Sequence, residues 1–527
     1  MCGIIGITSE NIKLKTAFFK KNRSHIVDRG VEFNSLDKDN LFIGYTRLPT
    51  DDINNIKLNS IQQDNDEIFL FNGLISNVED LVEKFHLPLH LKQSDALCLK
   101  YGYKKYGTSF ISLCRGMFAF ILVTKTTITL VRDTIGIKPM YYIHNQEMFG
   151  FASEIKALLN EYTTITELLP GEIVTFYRET FSITSKKFKY ESYKHYARDD
   201  LMNCLVESIV EPTKRYLKQS INKRIGVLLS GGLDSSLILQ ILVNNLSRVD
   251  TSRIVAFCIG KKESNDYEAA LQLCKLLKIK FIYVELYSDK ESLEKIPEIT
   301  YMVESKYSRV IKVALLQEKL AVEIKKNGIQ VVISGEGADE LFFGYKRFIN
   351  GLTASQIGKI NMRFLNNVFY YTLLQRYERV FARHQIEGRV PFLDQELIEI
   401  ANKIKVDEKI KDVNTKCLSK MPLRLLAKES GLPEFIYYRE KEKMIDGATG
   451  QSNSESDTGY LEYFIRKFTN KSASELILEN YIKYFYNGNK DMLCKPKKFM
   501  TEEILLAKAY KYRERNIKNK TPVFMIE

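Results

Sequence analysis

A cysteine stands at the second position of this chain, directly after the initiator methionine, in the opening stretch MCGIIGIT. Once Met1 is removed, Cys2 carries a thiol and a free α-amino group on the same residue. The ordinary pKa of an α-amino group is about 7.7–8.0, close to working pH, so this group can serve as the base for its own side chain. The position of Cys2 therefore predicts a nucleophile with a built-in base.

Two short motifs further along could serve that nucleophile. Arg47, in TRL, could hold a substrate carboxylate through two parallel hydrogen bonds. Asn72 and the backbone amide of Gly73, in LFNGL, could form an oxyanion hole, which lowers a reaction barrier by about 3–4 kcal/mol. An Asn-Gly pair also occurs in hairpin turns, so spacing alone leaves that alternative open.

A second kind of chemistry is indicated by the stretch LLSGGLDSS, which follows an apolar strand and leads into a helix. Gly231 and Gly232 allow backbone amides to approach an anion, and the helix start adds a partial positive charge. Ser230, Ser235 and Ser236 supply hydroxyl donors. Because the Gly-Lys-Ser/Thr of a Walker loop is missing, the stretch favours a grip on the pyrophosphate of ATP that is cleaved between its α and β phosphates. A plain strand-to-helix turn is the alternative.

A later stretch, SGEGADELFFGY, is expected at the same edge of the same sheet. It places Glu336, Asp339 and Glu340 within about one helical turn, where carboxylates either hold Mg²⁺ or move protons. A capped, solvated helix start is the alternative. In YYREKEKMIDGATG, Lys441 and Lys443 could neutralise phosphate charge or belong to a solvated charge run.

The elements that must position these residues show two secondary-structure patterns, one in each half of the chain. The first half alternates short β-like runs with turns, which predicts stacked, mostly antiparallel sheets, with helices at SDALCLKYGYKKYG and SEIKALLNE. We place the linker in KKFKYESYKHYARDD. After it, strands such as RIGVLLS, RIVAFCIG and IQVVISG alternate with amphipathic helices, which predicts a parallel, doubly wound sheet. After Phe342 the pattern is mostly helical.

Composition limits the function classes. No apolar stretch approaches the ~18 residues that span a bilayer, and MCGIIGITSENIK turns polar too early for a signal peptide. The eight cysteines are scattered without a Cys-x-x-Cys pair, so we expect a cytoplasmic protein with no membrane partner. The net charge of +13 is spread along the chain without an Arg-rich arm or aromatic RNA-binding signature, and we expect no nucleic-acid partner.

The order of the motifs is similar to that of the glutamine-dependent asparagine synthetases, a two-domain family. From Cys2 to about Gly450 the motifs are MCGIIGI, DRG, TRL, FNG, SDALCL, RGMFAF, RDTIGIKPMYY, FASEIKAL, LPGE, LLSGGLDSS, SGEGADELFFGY, EGRVPFLD and KEKMIDG. The resemblance implies an α+β N-terminal-nucleophile glutaminase sandwich with αββα layers over residues 2–190. It implies an α/β doubly wound parallel-sheet ATP-pyrophosphatase domain with a helical C-terminal part over residues 205–527, and an ammonia tunnel between the two domains.

The resemblance also implies residue roles. Cys2 would attack the side-chain amide of glutamine, while Asn72 and Gly73 hold the oxyanion and Met117 lies near the tunnel. Glutamine would be bound by Arg47, Asn72, Gly73 and Asp95. ATP would be bound by Leu229, Ser230, Gly231, Gly232, Asp234, Ser235, Ser236, Ile259, Ser334 and Gly335. Mg²⁺ would lie at Asp234 and Asp339, Glu336 would take a proton from ammonia, and Lys441 would stabilise phosphate charge.

The implied reaction joins aspartate and ammonia. The β-carboxylate of aspartate attacks ATP, giving β-aspartyl-AMP and pyrophosphate, and ammonia from glutamine then displaces AMP. The partners implied are therefore the small molecules glutamine, aspartate and ATP. The family resemblance also implies that the protein forms a homodimer. Two departures stand out: Leu74 replaces the usual glutamate after Asn-Gly, and Met444-Ile445 replaces Phe-Ser. These leave open a synthetase that prefers free ammonia, an amidotransferase for another carboxylate, or a basic nucleotide-binding protein without catalysis.

Overall fold

A computed structural model describes the protein over residues 2–38, 40–50, 62–64, 67–159, 164–192, 194, 196–344, 373–413, 416–439, 465–466, 468–469 and 471–485. Its first twelve strands are β1 Gly3–Ser9, β2 Glu32–Lys38, β3 Leu41–Arg47, β4 Gln62–Asp64, β5 Glu67–Ile75, β6 Gly116–Val123, β7 Thr127–Arg132, β8 Tyr141–His144, β9 Met148–Ala152, β10 Ile165–Glu167, β11 Glu172–Tyr177 and β12 Ser182–Lys187.

These strands form two six-stranded sheets, with orders β10-β8-β9-β1-β3-β2 and β12-β11-β7-β6-β5-β4. The pairs along both sheets are antiparallel, for example β1 with β3 and β5 with β6, which confirms the predicted stacked antiparallel sheets. The alternation of β1 explains the stacking, since Ile4 joins the core between the sheets whereas Ile5 and Ile7 pack on the outer face.

Helices cover both outer faces of the sheet pair. The helices of this half are α1 Ile12–Asn22, α2 Val78–Lys84, α3 Asp95–Tyr106 and α4 Thr108–Ile111. Helix α1 packs on the first sheet, and α2 and α3 pack on the second, so the predicted αββα order is confirmed. The expected helix at SEIKALLNE is wrong for its described part, residues 153–159, where a 3₁₀ segment, Ile155–Leu158, forms in its place. Its apolar residues lie in a segment too short for a full α-helix.

The second half contains a five-stranded parallel sheet. Its strands are β13 Ile225–Leu228, β14 Ile254–Gly260, β15 Lys280–Glu285, β16 Val331–Ile333 and β17 Glu387–Arg389, and a separate hairpin is formed by β18 Ile410–Val413 and β19 Lys416–Ser419. The order β15-β14-β13-β16-β17 means that the chain winds outward from β13 and then returns to its other side. The predicted doubly wound sheet is confirmed, and its switch point lies between β13 and β16.

Helices lie on both faces of this parallel sheet. They are α5 Leu201–Lys218, α6 Leu233–Asn245, α7 Arg248–Thr251, α8 Asn265–Leu277, α9 Asp289–Val303, α10 Ser308–Lys326, α11 Ala338–Phe342, α12 Gln375–Arg383, α13 Gln395–Lys403, α14 Val406–Lys409, α15 Met421–Glu429, α16 Glu434–Tyr437 and α17 Ala473–Phe485. One apolar cluster joins α5, α6, α8, α13 and α15, and the other joins α9, α10, α12 and α17. Among the described helices, none is long and apolar enough to cross a bilayer.

The two halves share one apolar cluster. Leu48, Leu74, Met117 and Ile137 come from the antiparallel half, yet they pack with side chains of α9, α10 and α12. Each of the four side chains is buried. The face that carries the Asn72–Gly73 motif is therefore covered by the second half of the chain.

Candidate active sites

The first candidate site surrounds Cys2 at the start of β1. The backbone N–H of Cys2 donates to Asn72 Oδ1 at 2.9 Å, and Arg29 Nε donates to the Cys2 carbonyl at 3.1 Å. The next amide, of Gly3, donates to Thr46 Oγ1 at 2.8 Å. The backbone of Cys2 is thus held on both sides, which fixes where its thiol can lie.

Asn72 offers a further donor at this site. Its side chain is fully buried, and its Nδ2 has no hydrogen-bond acceptor in the part of the chain that the structure describes. A buried amide normally finds partners for its hydrogens, because an unmade bond costs about 1–3 kcal/mol. The Nδ2 group of Asn72, beside Cys2, can therefore donate to a bound molecule.

Tyr45 connects the other residues predicted for glutamine. Its hydroxyl donates to the Phe71 carbonyl at 2.8 Å. Burial and the neighbouring Cys2 thiol raise the pKa of Tyr45, while Arg47 acts in the opposite direction and Asp95 in the same one. Cys2, Arg47 and Asp95 thus all act electrostatically on this one tyrosine.

Asp95 is also tied to the strand that carries Asn72. Its Oδ2 accepts the N–H of Ile75 at 3.0 Å and its Oδ1 accepts the N–H of Ala96 at 2.7 Å. Gly73 lies between Asn72 and Ile75 on β5. A Cβ atom at Gly73 would stand 2.2 Å from the Met117 carbonyl oxygen. Only glycine fits this close approach of β5 and β6, so Gly73 has a structural reason besides any role of its amide.

Sequence patterns gave no sign of a buried lysine near this site. Lys138, in RDTIGIKPMYY, is fully buried, and its amine has no hydrogen-bond partner among the described residues. Burial lowers the pKa of Lys138, against the opposing effects of Glu378 and Glu387. Lys138 is buried because it lies between the two halves of the chain, and no local sequence pattern encodes that position.

The second candidate site lies at the switch point of the parallel sheet. Leu229, buried, follows β13, and its N–H donates to the Phe257 carbonyl of β14 at 2.8 Å. Ser230 Oγ lies 3.3 Å from Ser235 Oγ and accepts the N–H of Gly232 at 3.3 Å. This folds the loop back on the start of α6, with backbone amides and hydroxyls at the helix N-terminus.

The loop after β16 meets this first loop. A Cβ built on Gly335 would stand only 2.9 Å from Asp234 Cβ, so the two loops touch. Ser334 follows β16, and Ile259 lies near the end of β14. The residues predicted for the nucleotide therefore lie at the carboxyl ends of three neighbouring strands. Ser236, fully buried, keeps a hydroxyl without a partner among the described residues.

Lys420 connects the two carboxylates predicted for a metal. Its Nζ lies 2.5 Å from Asp234 Oδ2 and 2.5 Å from Asp339 Oδ1. The second oxygen of Asp234 is buried and has no partner within the described ranges. Mg²⁺ at phosphate sites takes one or two carboxylates and completes its shell with water and phosphate oxygens. Asp234 and Asp339 fit such an ion, although the described residues contain no cluster of three ligating side chains.

Glu336 lies next to these loops and is oriented by two side chains. Arg376 Nη2 donates to its Oε1 at 3.4 Å and Gln317 Nε2 donates to the same oxygen at 3.3 Å. Arg376 Nε also donates to Gln317 Oε1 at 2.9 Å, so the three residues form one group. A fixed carboxylate at this edge is suited to accept a proton.

Sequence reasoning missed two basic residues of this site. Lys420 is the residue directly before α15, and its φ is 60°. This left-handed conformation is uncommon for residues other than glycine and is often found at functional sites. Arg439 donates to the Gly231 carbonyl at 3.0 Å and pairs with Asp266 at 2.7 Å. Arg439 lies in the charged stretch YYREKEK, from which a phosphate-site residue could have been predicted. Lys420 lies in no recognised motif. The predicted Lys441 lies outside the described residues.

Known proteins resemble the chain across both halves. The model of a glutamine amidotransferase domain matches residues 1–208, and that of the asparagine synthase family matches residues 216–359 and 350–491. Among similar proteins, a probable glutamine-hydrolyzing asparagine synthetase of Acanthamoeba polyphaga mimivirus is 29% identical over 434 residues, covering 78% of each chain.

Two plant proteins give the same result. The glutamine-hydrolyzing asparagine synthetase 3 of Arabidopsis thaliana is 26% identical over 503 residues, covering 91% of this chain and 83% of its own. Asparagine synthetase 2 of Oryza sativa subsp. japonica, also named as glutamine-hydrolyzing, is 28% identical over 479 residues, covering 85% of this chain and 77% of its own. Since the synthase match spans more than half of the 527 residues, with a glutamine amidotransferase domain ahead of it, this chain belongs to the asparagine synthase family.

Proposed function

We propose that the protein synthesises asparagine from aspartate and ATP, with ammonia that it releases from glutamine. The observation that carries the proposal is the presence of two complementary sites in one chain. One site holds Cys2 beside the unused Nδ2 of Asn72. The other places glycine-rich loops at the switch point of a doubly wound sheet. The relatives named above as glutamine-hydrolyzing asparagine synthetases support the same reaction.

In the first half-reaction the α-amino group of Cys2 takes the proton of its thiol. The thiolate attacks the side-chain amide carbon of glutamine, and Asn72 Nδ2 with the Gly73 amide stabilises the oxyanion. Ammonia leaves, and water hydrolyses the thioester to glutamate. We assign Arg47 to the carboxylate of glutamine and Asp95 to its ammonium, because opposite charges favour these pairs.

In the second half-reaction the β-carboxylate of aspartate attacks the α-phosphorus of ATP, and pyrophosphate leaves. The pyrophosphate would be held by the loop of Ser230, Gly231, Gly232, Ser235 and Ser236. When bound at Asp234 and Asp339, Mg²⁺ would neutralise phosphate charge. Ammonia then attacks the activated carbonyl, Glu336 accepts a proton, and AMP leaves. We further assign Leu229, Ile259, Ser334 and Gly335 to the nucleotide and Lys441 to the phosphates.

Several broader assignments belong to this proposal. We place the glutaminase domain at residues 2–190 and the synthetase domain at 205–527, and we propose a homodimer that works in the cytoplasm. A second candidate is synthesis from free ammonia, which is favoured by Leu74: an apolar side chain stands where the family usually has a glutamate, and it packs against the synthetase half.

The test follows nitrogen and phosphate together. The enzyme is incubated with ATP, aspartate and either amide-labelled glutamine or labelled ammonium, and asparagine, AMP and pyrophosphate are quantified. Equal amounts of the three products, with label from glutamine, are expected. Cys2→Ala should lose glutamine-supported synthesis and keep the ammonium-supported rate, whereas Cys274→Ala, which removes another buried thiol, should keep both. Formation of ADP and phosphate, or no labelled asparagine, would refute the proposal.

A further inference from the structure

Helix α12, Gln375–Arg383, is polar in sequence but buried in the fold. The side chains of Gln375, Arg376, Glu378 and Arg379 are each less than 5% exposed. Charged side chains rarely lie so deep unless each one is paired, because removing a charge from water costs several kcal/mol. The helix is therefore built around specific contacts, and these contacts reach both candidate sites.

One side of α12 reaches the nucleophile. Glu378 accepts hydrogen bonds from Nη1 and Nη2 of Arg29, with Nη1 at 3.1 Å. The same Nη1 donates to Glu154 Oε1 at 2.6 Å. Arg29 Nε donates to the carbonyl of Cys2. A carboxylate of the synthetase half is thus separated from the Cys2 backbone by a single guanidinium group.

The opposite side of α12 reaches the synthetase site. Arg376 precedes Glu378 by two positions, so on an α-helix the two side chains point about 200° apart. Arg376 donates to Glu336 and to Gln317. One helix of 9 residues therefore fixes both the carboxylate that is assigned to accept a proton from ammonia and the arginine that holds the nucleophile.

Further contacts prevent the helix from moving independently of either half. Arg379 Nη2 donates to the Tyr141 hydroxyl at 2.7 Å and pairs with Glu304 at 2.5 Å. Gln375 Nε2 donates to Glu167 Oε1 at 2.6 Å. Tyr141 and Glu167 belong to the first sheet of the antiparallel half, while Glu304 follows α9. The helix is anchored on both halves at once.

We propose that Glu378 is a positioning residue for the glutaminase step, acting through Arg29 on Cys2, and that Arg376 on the same helix positions Glu336. The inference rests on the proposed function. Loss of the Glu378 charge frees Arg29 to turn toward Glu154 alone, which removes one of the two restraints on the Cys2 backbone. The thiol then spends less time in the attacking geometry, so turnover falls while glutamine binding is retained.

The test is Glu378→Gln in the full chain, assayed for glutamate release from glutamine and for asparagine synthesis from ammonium. We expect the kcat for glutamate release to fall about tenfold, with the KM for glutamine and the ammonium-supported rate within twofold of the parent. The matched control is Arg383→Gln. Arg383 lies on the same helix, and its half-exposed side chain pairs with Asp28 and not with Arg29 or Cys2, so this variant should leave kcat unchanged.

A structural effect gives a different pattern. If Glu378→Gln lowers both activities equally, together with the melting temperature, the helix only supports folding and the inference is wrong; an unchanged kcat also overturns it. Should the variant be insoluble, Glu378→Asp is measured in its place: it keeps the charge but shortens its reach to Arg29, so a smaller fall in kcat at an unchanged KM is expected, and an unchanged kcat overturns the inference. If the parent enzyme itself releases no glutamate from glutamine, the proposed function fails instead.

Discussion

Leu74 of β5 stands directly opposite Met117 of β6, and both side chains belong to the apolar cluster that the two halves share. Leu74 follows Asn72 by two positions on the same strand, so the two side chains point to the same face. An apolar wall therefore begins two residues beyond Asn72, on the same face of β5. Because ammonia is mostly protonated in water at neutral pH, the proposed transfer of ammonia would need a dry wall of this kind.

The wall makes Leu74→Gln an informative change. An amide buried there without partners costs about 1–3 kcal/mol and attracts water into the cluster. We expect the asparagine formed per glutamine hydrolysed to fall at least twofold, with glutamate release and ammonium-supported synthesis nearly unchanged. The ratio is measured from labelled product in a single reaction. Leu74→Met keeps the wall apolar and should keep the ratio; a normal ratio in Leu74→Gln would show that this wall does not protect ammonia.

Asn72→Asp tests the oxyanion donor. Aspartate can still accept the N–H of Cys2, but it has no Nδ2 hydrogens and it adds a negative charge beside the thiol, so both changes act against an oxyanion. Removing one oxyanion-hole donor costs about 10²–10³ in kcat, and we expect that loss for glutamate release. The ammonium-supported rate serves as the internal control because its site lies in the other half. A loss below tenfold would contradict the assignment of Nδ2.

Local sequence patterns correctly predicted the elements whose own residues specify an apolar face. The alternation of Ile4, Ile5 and Ile7 in β1 and the glycines of LLSGGLDSS each specify local geometry, and the two sheets and the switch-point loop follow from them. The described part of SEIKALLNE forms no α-helix, and its Glu154 pairs with the buried Arg29. That partner lies more than a hundred positions away, where no local period can record it.

Residues that depend on distant partners were the ones missed. The sequence of α12, QRYERVFAR, has the composition of a solvent-exposed helix, yet it is buried because Arg29, Glu304 and Gln317 supply its counter-groups. Lys420 likewise reaches Asp234 across 186 positions. A charge can be buried only where its partners meet it, and the meeting place is a property of the assembled fold.

A divalent cation bound at the proposed site would compete with Lys420 for the carboxylates of Asp234 and Asp339, which gives a binding prediction. In Lys420→Met the ammonium group is gone, and the carboxylates of Asp234 and Asp339 are left without the cation that lies 2.5 Å from each. We expect Mn²⁺, used as a probe for Mg²⁺, to bind the nucleotide-free variant about fivefold more tightly. Calorimetric or electron paramagnetic resonance titration measures this change.

The control for that titration is Lys428→Met, an exposed lysine of the same helix α15. It changes the net charge of the protein equally but lies away from the carboxylates, so the dissociation constant for Mn²⁺ should stay within a factor of two. Weaker Mn²⁺ binding in Lys420→Met would mean that the lysine supports the metal site and does not compete with it.

Lys409 of α14 gives a prediction of pH dependence. Its Nζ lies 4.8 Å from the Phe343 ring centre in a small apolar cluster beside the Asp339 helix, and burial lowers the pKa of Lys409 from 10.5 to about 8. Between pH 8 and 10.5 the unfolded chain binds a proton at this residue that the folded chain does not bind. The contribution of Lys409 to the free energy of unfolding therefore rises with pH across this interval, and below pH 8 the buried charge destabilises the fold.

Lys409→Met removes the charge and keeps an unbranched side chain that fits among Phe343, Val406 and Ile410. We expect this variant to unfold at a higher urea concentration than the parent at pH 7, with the difference shrinking steadily from pH 8 to 10.5. Urea titrations at several pH values measure it. A constant difference would show that packing, not the charge, causes the gain, because only the charged form of Lys409 carries the cost of burial.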